Sequence, residues 1–288
     1  MLFRLIYTLL AALTAAGLSV QPAFAAEEQP VKAFPKPFDR IGRSFAESFM
    51  NLNLGFQFAG IAATSAMSTW DTDVEIRRYF HDHPLWGRDM YPMVIAGVAM
   101  PVALFGGLHI AGRMTEDPET LGASYAVFQA GALTIGYVTL LKLVTGRPAP
   151  RDDYIPSLAE DDATLSRTFR PGFYRGGIVS GWPSGHVAVT TAMLSALVFY
   201  YPDSWVLKAV LVLGTGGMML AVSSFQAGGM HWASDAVAGA LMAFPIGMSA
   251  GRGMRKVVDG KRASTQSAWF VGPSLRPEVS GVMVGRFF

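Results

Sequence analysis

The pentapeptide Trp182-Pro183-Ser184-Gly185-His186 stands directly before a long apolar run. Ser184 occupies the position of a helix N-cap, and a helix N-terminus presents free backbone N–H groups and a positive dipole end. Both properties suit an anion such as phosphate. Gly185 would let the backbone approach that anion closely, and His186 would extend from the first helical turn into the same space. An ordinary Pro-Ser helix start has the same sequence, so this motif needs support from elsewhere in the chain.

A second polar cluster, His231-Trp232-Ala233-Ser234-Asp235, opens another apolar stretch. His231 and Asp235 are four residues apart, so a helix would place both side chains on one face. A carboxylate in that position can keep one imidazole nitrogen protonated and leave the other lone pair free for nucleophilic attack. Because a His/Asp pair at this spacing often arises by chance, the cluster by itself is weak evidence.

Lys142 near the end of a third apolar stretch is the next candidate, and it is followed by Thr145-Gly146-Arg147-Pro148-Ala149-Pro150-Arg151. An ionisable group inside a membrane segment costs several kcal/mol and is a candidate functional residue for that reason. The alternative is a lysine whose long side chain reaches the membrane surface. The three clusters together predict one anion site made from two histidines, a lysine and a helix N-terminus.

The composition predicts a membrane protein, since 51% of the residues are hydrophobic and only 15% are charged, against about 25% in a soluble domain. The segments 91–112, 123–145, 185–201, 206–224 and 233–251 are each near the ~20 residues that cross a bilayer. We therefore predict an all-α, membrane-embedded helical bundle with five or six spans. A soluble helical bundle is the alternative.

Several classes of site are excluded or disfavoured by the composition. The chain has no cysteine, which excludes disulfides, thiolate metal ligands and a cysteine nucleophile. A net charge of +2 without a run of Lys or Arg gives no support to nucleic-acid binding. His81 and His83, in a segment (71–90) interpreted as a polar loop, offer too few ligands for a metal site, and His109 is interpreted as structural.

The N-terminus has the pattern of a secretory signal peptide over residues 1–25. Arg4 supplies the positive charge, Leu5 to Val20 the apolar stretch, and Ala23-Phe24-Ala25 the cleavage site. An uncleaved membrane anchor is the alternative.

The remaining chain divides into three predicted parts. Residues 26–90 form a periplasmic or membrane-surface segment with a weak span at 52–70, residues 91–251 the transmembrane core, and residues 252–288 a C-terminal tail. The last stretch, 268–288, resembles two short strands. With a cleaved signal and five spans, the loops 146–184 and 225–232 face the periplasm and the basic tail faces the cytoplasm. Counting 52–70 as a sixth span would reverse this orientation.

The three polar clusters together resemble the motifs of a known family. Pro183-Ser184-Gly185-His186, followed by His231 and Asp235 and preceded by Lys142, resembles the motifs of the type 2 phosphatidic acid phosphatase and vanadium haloperoxidase superfamily over about residues 90–251. The resemblance implies a phosphatase with a phosphohistidine intermediate and no metal or other cofactor. It implies that His231 is the nucleophile, Asp235 orients it, and His186 is the acid and base. Lys142, Ser184 and the Gly185 N–H would hold the phosphate oxygens.

Membrane-bound members of that family typically act on a lipid phosphate. The resemblance therefore implies a phosphorylated membrane lipid as partner and substrate. It places the protein in the bacterial inner membrane as a multi-pass protein, with the site facing the periplasm. The oligomeric state does not follow from the sequence.

Two positions depart from the family pattern. The first motif's Arg-Pro slot is Ala149-Pro150, and the third motif's Ser-Arg is Ser224-Phe225. Arginine clamps on a transferred phosphoryl group are worth ~10³–10⁵ in rate where measured. We expect Arg147 to compensate and bind the phosphate. The other arginines of the loop that could do so are Arg151, Arg167, Arg170 and Arg175.

Other functions stay open at this stage. The missing arginines favour a catalytically weakened homologue that binds phospholipid or assists an envelope complex. A phosphotransferase that passes phosphate between lipids would need the same residues as a phosphatase. A haloperoxidase fits less well, because a larger soluble helical protein would be expected. A helical transporter or scaffold is a further alternative.

Overall fold

A computed structural model describes residues 34–85, 91–150, 159–170, 181–224, 230–265, 269–273 and 282–286. Within these residues the chain is all-α apart from one short C-terminal hairpin, which agrees with the predicted fold class. The helices are α1 (Ile41–Glu47), α2 (Leu52–Thr69), α3 (Thr72–Asp82), α4 (Tyr91–Met114), α5 (Pro118–Thr145), α6 (Ala159–Arg167), α7 (Gly185–Tyr200), α8 (Trp205–Ser224) and α9 (Ala233–Thr265).

The C-terminal hairpin lies where two short strands were expected. It consists of β1 (Trp269–Pro273) and β2 (Val282–Arg286). The two strands pair antiparallel, with Trp269 opposite Arg286 and Pro273 opposite Val282.

In the part of the chain that the structure describes, four helices are long and apolar enough to cross a membrane: Ile95–Met114 in α4, all of α5 and α8, and Ala233–Gly260 in α9. The remaining predicted span, 185–201, corresponds to α7, a shorter apolar helix of 16 residues. At 1.5 Å per residue it is about 24 Å long, against about 30 Å of hydrocarbon. It ends at Tyr200 because Tyr201 precedes Pro202, and a residue before proline disfavours the helical conformation.

α7 is a central helix, and most of its residues are buried. It runs parallel to α9 in very close contact, which the glycines of α9 make possible. A Cβ atom built on Gly247 would lie 2.0 Å from Ala192 O, and one on Gly239 would lie 2.7 Å from Ser184 O. Small residues allow helices in lipid to approach in this way. The N-termini of α7 and α9 therefore lie side by side, and we call this the site end of the bundle.

α2 covers the predicted weak span 52–70 and packs antiparallel along α9. Gln57 Nε2 donates to Met242 O at 3.0 Å, and Thr64 Oγ1 donates to Ser234 O at 3.4 Å. Farther along α9, a Cβ on Gly253 would lie 2.4 Å from Ser44 Oγ of α1. α2 thus leads from the end of the bundle beside Gly253, which we call the opposite end, to the site end.

The segment 71–90 was interpreted as a polar loop, and this interpretation was wrong for residues 72–82, which form α3. The buried residues of this helix are Asp73, Val74, Arg77 and Phe80, a spacing that matches one face of a helix. Two of these four side chains are charged, so the buried face carries no hydrophobic pattern. His81 accordingly lies within α3, and His83 is its C-cap.

Candidate active site

The site is built where α7 and α9 begin. Ser184 N donates to Asp235 O at 3.0 Å, which joins the start of α7 directly to the first turn of α9. Ser184 is the N-cap of α7 as predicted, but its side chain makes no capping bond. Its Oγ is buried and has no hydrogen-bond partner among the described residues. A buried hydroxyl without a partner costs stability, and a bound ligand would satisfy it.

His231 is held both by its backbone and by its side chain. Its N–H and that of Met230 donate to Val222 O near the end of α8, at 3.3 and 2.8 Å. Its Nδ1 lies 3.4 Å from Asp235 Oδ2, and both side chains are fully buried. Asp235 Oδ2 also accepts from Trp232 N at 3.2 Å. The structure thus brings the predicted pair together, although His231 precedes α9 by two residues instead of lying within it.

Neither ring nitrogen of His231 makes a hydrogen bond in the described parts of the chain, so Nδ1 meets Asp235 only as a 3.4 Å contact and Nε2 has no partner. Burial lowers the pKa of His231 below its ordinary value, and the positive charges of Lys142 and Arg147 lower it further, while the neighbouring Asp235 carboxylate acts in the opposite direction. The ring is therefore neutral at neutral pH. A neutral imidazole with Nδ1 facing a carboxylate carries its free lone pair on Nε2.

Lys142 is buried, with 4% of its surface exposed, so its side chain is enclosed by the protein and does not extend to solvent. Its Nζ donates to Gly181 O at 3.2 Å. Gly181 has a φ of +98°, and a Cβ there would lie 2.9 Å from Arg147 O, so this close approach requires glycine. Thr145 Oγ1 donates to Trp182 O at 3.1 Å and ties the end of α5 to the same segment.

His186 lies in the first turn of α7 and is half-buried, as is Gly185. α4 passes beside this turn at Gly97. A Cβ atom built on Gly97 would lie 3.7 Å from His186 Cδ2. His186 interacts electrostatically with His231 and Lys142. The structure therefore brings all the predicted catalytic residues to one region at the site end.

Arg147 also lies at this site, but its guanidinium is engaged by the protein. Its Nε donates to Ser166 O at 2.8 Å, and its Nη2 donates to Asp73 Oδ2 at 2.8 Å and to Ser166 O at 2.5 Å. Its Nη1 donates to Ser234 Oγ at 2.8 Å and to Asp235 Oδ1. These contacts match the five N–H groups of a guanidinium. Arg147 could bind a phosphate only by releasing one of them.

Asp73 is the residue of this region that the sequence analysis missed. Its side chain is fully buried. Its Oδ1 accepts from Ser234 N at 2.8 Å, and its Oδ2 accepts from Ser234 Oγ at 2.7 Å as well as from Arg147. No apolar pattern marked Asp73 in the sequence, because two of the four residues on the buried face of α3 are charged.

The other arginines considered from the sequence do not add to the described site. Arg167 donates to Ser68 O, Thr69 O and Asp71 Oδ1 at the end of α2, and Arg170 is exposed. Arg151, Arg175 and Phe225 lie outside the described residues.

A buried imidazole oriented by a carboxylate, beside a lysine and an unpartnered serine at a helix N-terminus, defines a phosphoryl-transfer type of site. The family model described as the PAP2 superfamily matches residues 121–257, which include every predicted site residue. Residues 121–257 thus belong to the type 2 phosphatidic acid phosphatase superfamily, and this membership supports phosphatase activity on a phosphorylated substrate. Neither the curated proteins nor the solved structures include a significant match to the chain.

Proposed function

We propose that the protein is a metal-independent phosphatase that acts on a phosphorylated lipid, through a phosphohistidine intermediate, at the membrane surface. The observation that carries this proposal is His231, a buried neutral imidazole whose Nδ1 faces Asp235 and whose Nε2 is unpartnered among the described residues. A nucleophile held by a third group in this way is the general arrangement for covalent catalysis.

In the proposed first step, the Nε2 lone pair of His231 attacks phosphorus in line with the leaving oxygen. The P–O bond breaks, its electron pair goes to the leaving oxygen, and protonated His186 donates a proton to that oxygen. Asp235 retains the Nδ1 proton and balances the charge that develops on the ring. Lys142 Nζ, Ser184 Oγ and the Gly185 N–H stabilise the equatorial oxygens.

In the second step, a water molecule releases the enzyme. Neutral His186 accepts a proton from this water, and the water oxygen attacks phosphorus. The P–N bond breaks and its electron pair returns to His231 Nε2. Inorganic phosphate leaves, and His186 again carries the proton needed for the next turnover.

An apolar groove next to the start of α9 supports a lipid as the substrate. It has a volume of about 410 Å³ and is lined mainly by apolar side chains of α2, α3, α8 and α9, among them Met67, Phe80, Leu220 and Val237. Such a groove could hold an acyl or isoprenyl chain while the headgroup lies at the site. The four candidate membrane helices would embed the protein in a bilayer, from which such a substrate would enter.

The distribution of charge supports a site that faces the periplasm. Tyr200 OH donates to Glu119 O, and Arg255 pairs with Glu119, so these residues share the opposite end of the bundle. Basic residues favour the cytoplasmic side of a membrane protein. Those in or next to the helix ends there are Arg40, Arg43, Arg113, Lys208, Arg252, Arg255 and Lys256.

The substrate assignment predicts phosphate release without added metal. Detergent-purified protein in EDTA should release phosphate from at least one member of a panel containing phosphatidate, an isoprenyl diphosphate and a lipid A phosphate. Turnover of a water-soluble aryl phosphate alone would contradict the lipid assignment. Loss of activity in EDTA that returns with a divalent metal would contradict the metal-independent mechanism.

The orientation predicts a labelling pattern that the cysteine-free sequence makes simple to read. In spheroplasts, a membrane-impermeant maleimide should label Asp71→Cys, which lies at the site end. It should label Asp203→Cys, in the turn after α7 at the opposite end, only after the membrane is opened. Asp203 is exposed, and the side chain of Asp71 is about half exposed. The reverse pattern would place the site in the cytoplasm.

A second function, a weakened homologue that binds phospholipid without efficient turnover, is favoured by one observation. Arg147, the arginine expected to clamp the phosphate, donates all five of its N–H groups to protein acceptors. The same lipid panel separates the two functions, because a binding protein would retain the lipid phosphate and release no inorganic phosphate.

A further inference from the structure

The buried polar network around Arg147 contains two carboxylates for one guanidinium. Arg147 Nη2 contacts Asp73 Oδ2 at 2.8 Å, while its Nη1 contacts Asp235 Oδ1, and all three side chains are fully buried. Asp73 comes from the first turn of α3, outside the region 121–257 that the family model matches. α3, which lies outside the matched region, thus supplies a carboxylate, Asp73, that is linked through Arg147 to Asp235.

Asp73 also holds the first turn of α9. The first N–H groups of a helix have no partner within the helix, and Asp73 Oδ1 accepts one of them, from Ser234, at 2.8 Å. Its Oδ2 accepts from the Ser234 hydroxyl at 2.7 Å. The next residue, Asp235, faces His231 with its side chain and accepts from Ser184 N with its carbonyl. A shift of Ser234 would therefore move Asp235, and with it the contacts to His231 and to Ser184.

The charge balance gives Asp73 a second effect on Asp235. With Asp73 ionised, Arg147 is shared between two anions, and Asp235 keeps negative charge that can stabilise a positive His231 ring. Without that charge, Arg147 would be attracted to Asp235 alone and would neutralise it more fully, because an unpaired buried charge is costly.

We propose, on the basis of the proposed phosphatase function, that Asp73 is a positioning residue for the reaction. Through Arg147 and Ser234 it sets the orientation and the charge of Asp235, and thereby those of the nucleophile His231. In this role Arg147 is the link between the two carboxylates and does not bind the phosphate directly.

Asp73→Asn tests the proposal, because it removes the charge and nearly preserves the shape. The kcat for p-nitrophenyl phosphate should fall by about 10- to 100-fold, as for other outer-shell partners of a reactive group, with KM changed by less than about 3-fold. Among the described residues, the charged and titratable groups that face His231 are Asp235, Lys142, Arg147 and His186. With less negative charge near them, protonated His231 is less stable, so the acid limb of kcat/KM should move to lower pH.

Asp71→Asn is the matched control. Asp71 lies two residues away, is about half exposed and pairs with Arg167, so its loss should leave kcat and the pH profile as in the wild type. A second variant, Ser234→Ala, keeps the backbone N–H but removes the hydroxyl that contacts Asp73 and Arg147. It should lower kcat by a smaller factor, with KM unchanged, and it provides the test if Asp73→Asn does not fold.

The outcomes separate the positioning role from the proposed function. An unchanged kcat and acid limb in folded Asp73→Asn, or in Ser234→Ala where only that variant folds, would overturn the positioning role while wild-type turnover upheld the phosphatase. An increase in KM alone would also overturn it, because it would indicate that the network controls phosphate binding by Arg147. A wild type without turnover on p-nitrophenyl phosphate and on the lipid panel would overturn both proposals.

Discussion

Replacing His231 with asparagine should reduce phosphate release by about 10³- to 10⁶-fold, the range expected when a covalent nucleophile is lost. An amide at this position has no lone pair that can attack phosphorus. The defect should lie in kcat, because Lys142, Ser184 and the Gly185 N–H would still bind the phosphate. The rate is measured as inorganic phosphate released in EDTA from the lipid that the wild type turns over best.

Two measurements distinguish a lost nucleophile from a damaged fold. His83→Ala is the matched control, since His83 is exposed at the end of α3 and its loss should leave activity near wild type. Acid-labile, base-stable protein phosphate should appear when the wild type is quenched during turnover, and it should be absent from His231→Asn. If a folded His231→Asn protein retained phosphate release within 10-fold of the wild type, the phosphohistidine mechanism would be wrong.

Replacing His186 with glutamine should have the second largest effect, and its size should depend on the leaving group. A general acid contributes about 10²- to 10⁴-fold, and this contribution matters most when the leaving oxygen is a poor leaving group. We therefore expect the full loss for an alkyl phosphate lipid. For p-nitrophenyl phosphate, whose leaving group needs little protonation, dephosphorylation by water should become rate-limiting and the first step should be nearly preserved.

That difference can be measured as a burst. His186→Gln should release about one equivalent of p-nitrophenol per site quickly and then turn over slowly, because water activation also requires His186. If the rate of histidine phosphorylation fell as much for the aryl substrate as for the alkyl substrate, His186 would not be the general acid. A matched control is His81→Ala, which changes a histidine of α3 outside the predicted site.

The sequence was sufficient for the parts of the site that depend on local spacing. The four-residue separation of His231 and Asp235 predicted side chains that meet, and they lie 3.4 Å apart. Ser184 after a proline predicted a helix start, and it is the N-cap of α7. Lys142 was ambiguous from the sequence, because burial depends on neighbouring segments, and it is buried beside Gly181.

The parts that the sequence could not predict depend on contacts between distant segments. Arg147 was selected for its nearness to Lys142, but its partners come from α3, α6 and α9, up to 88 residues away along the chain. Asp73 was hidden because the polar residues of α3 gave no apolar pattern. The central burial of α7 likewise depends on its close packing against the glycines of α9.

The antiparallel position of α2 determines at which end of the bundle the segment 34–50 lies. Six described helices (α2, α4, α5, α7, α8 and α9) run between the two ends of the bundle, and an even number returns the chain to the side where it began. If the site faces the periplasm as proposed, residues 34–50 then lie on the cytoplasmic side. The basic residues of this segment, Lys36, Arg40 and Arg43, agree with that side of the membrane.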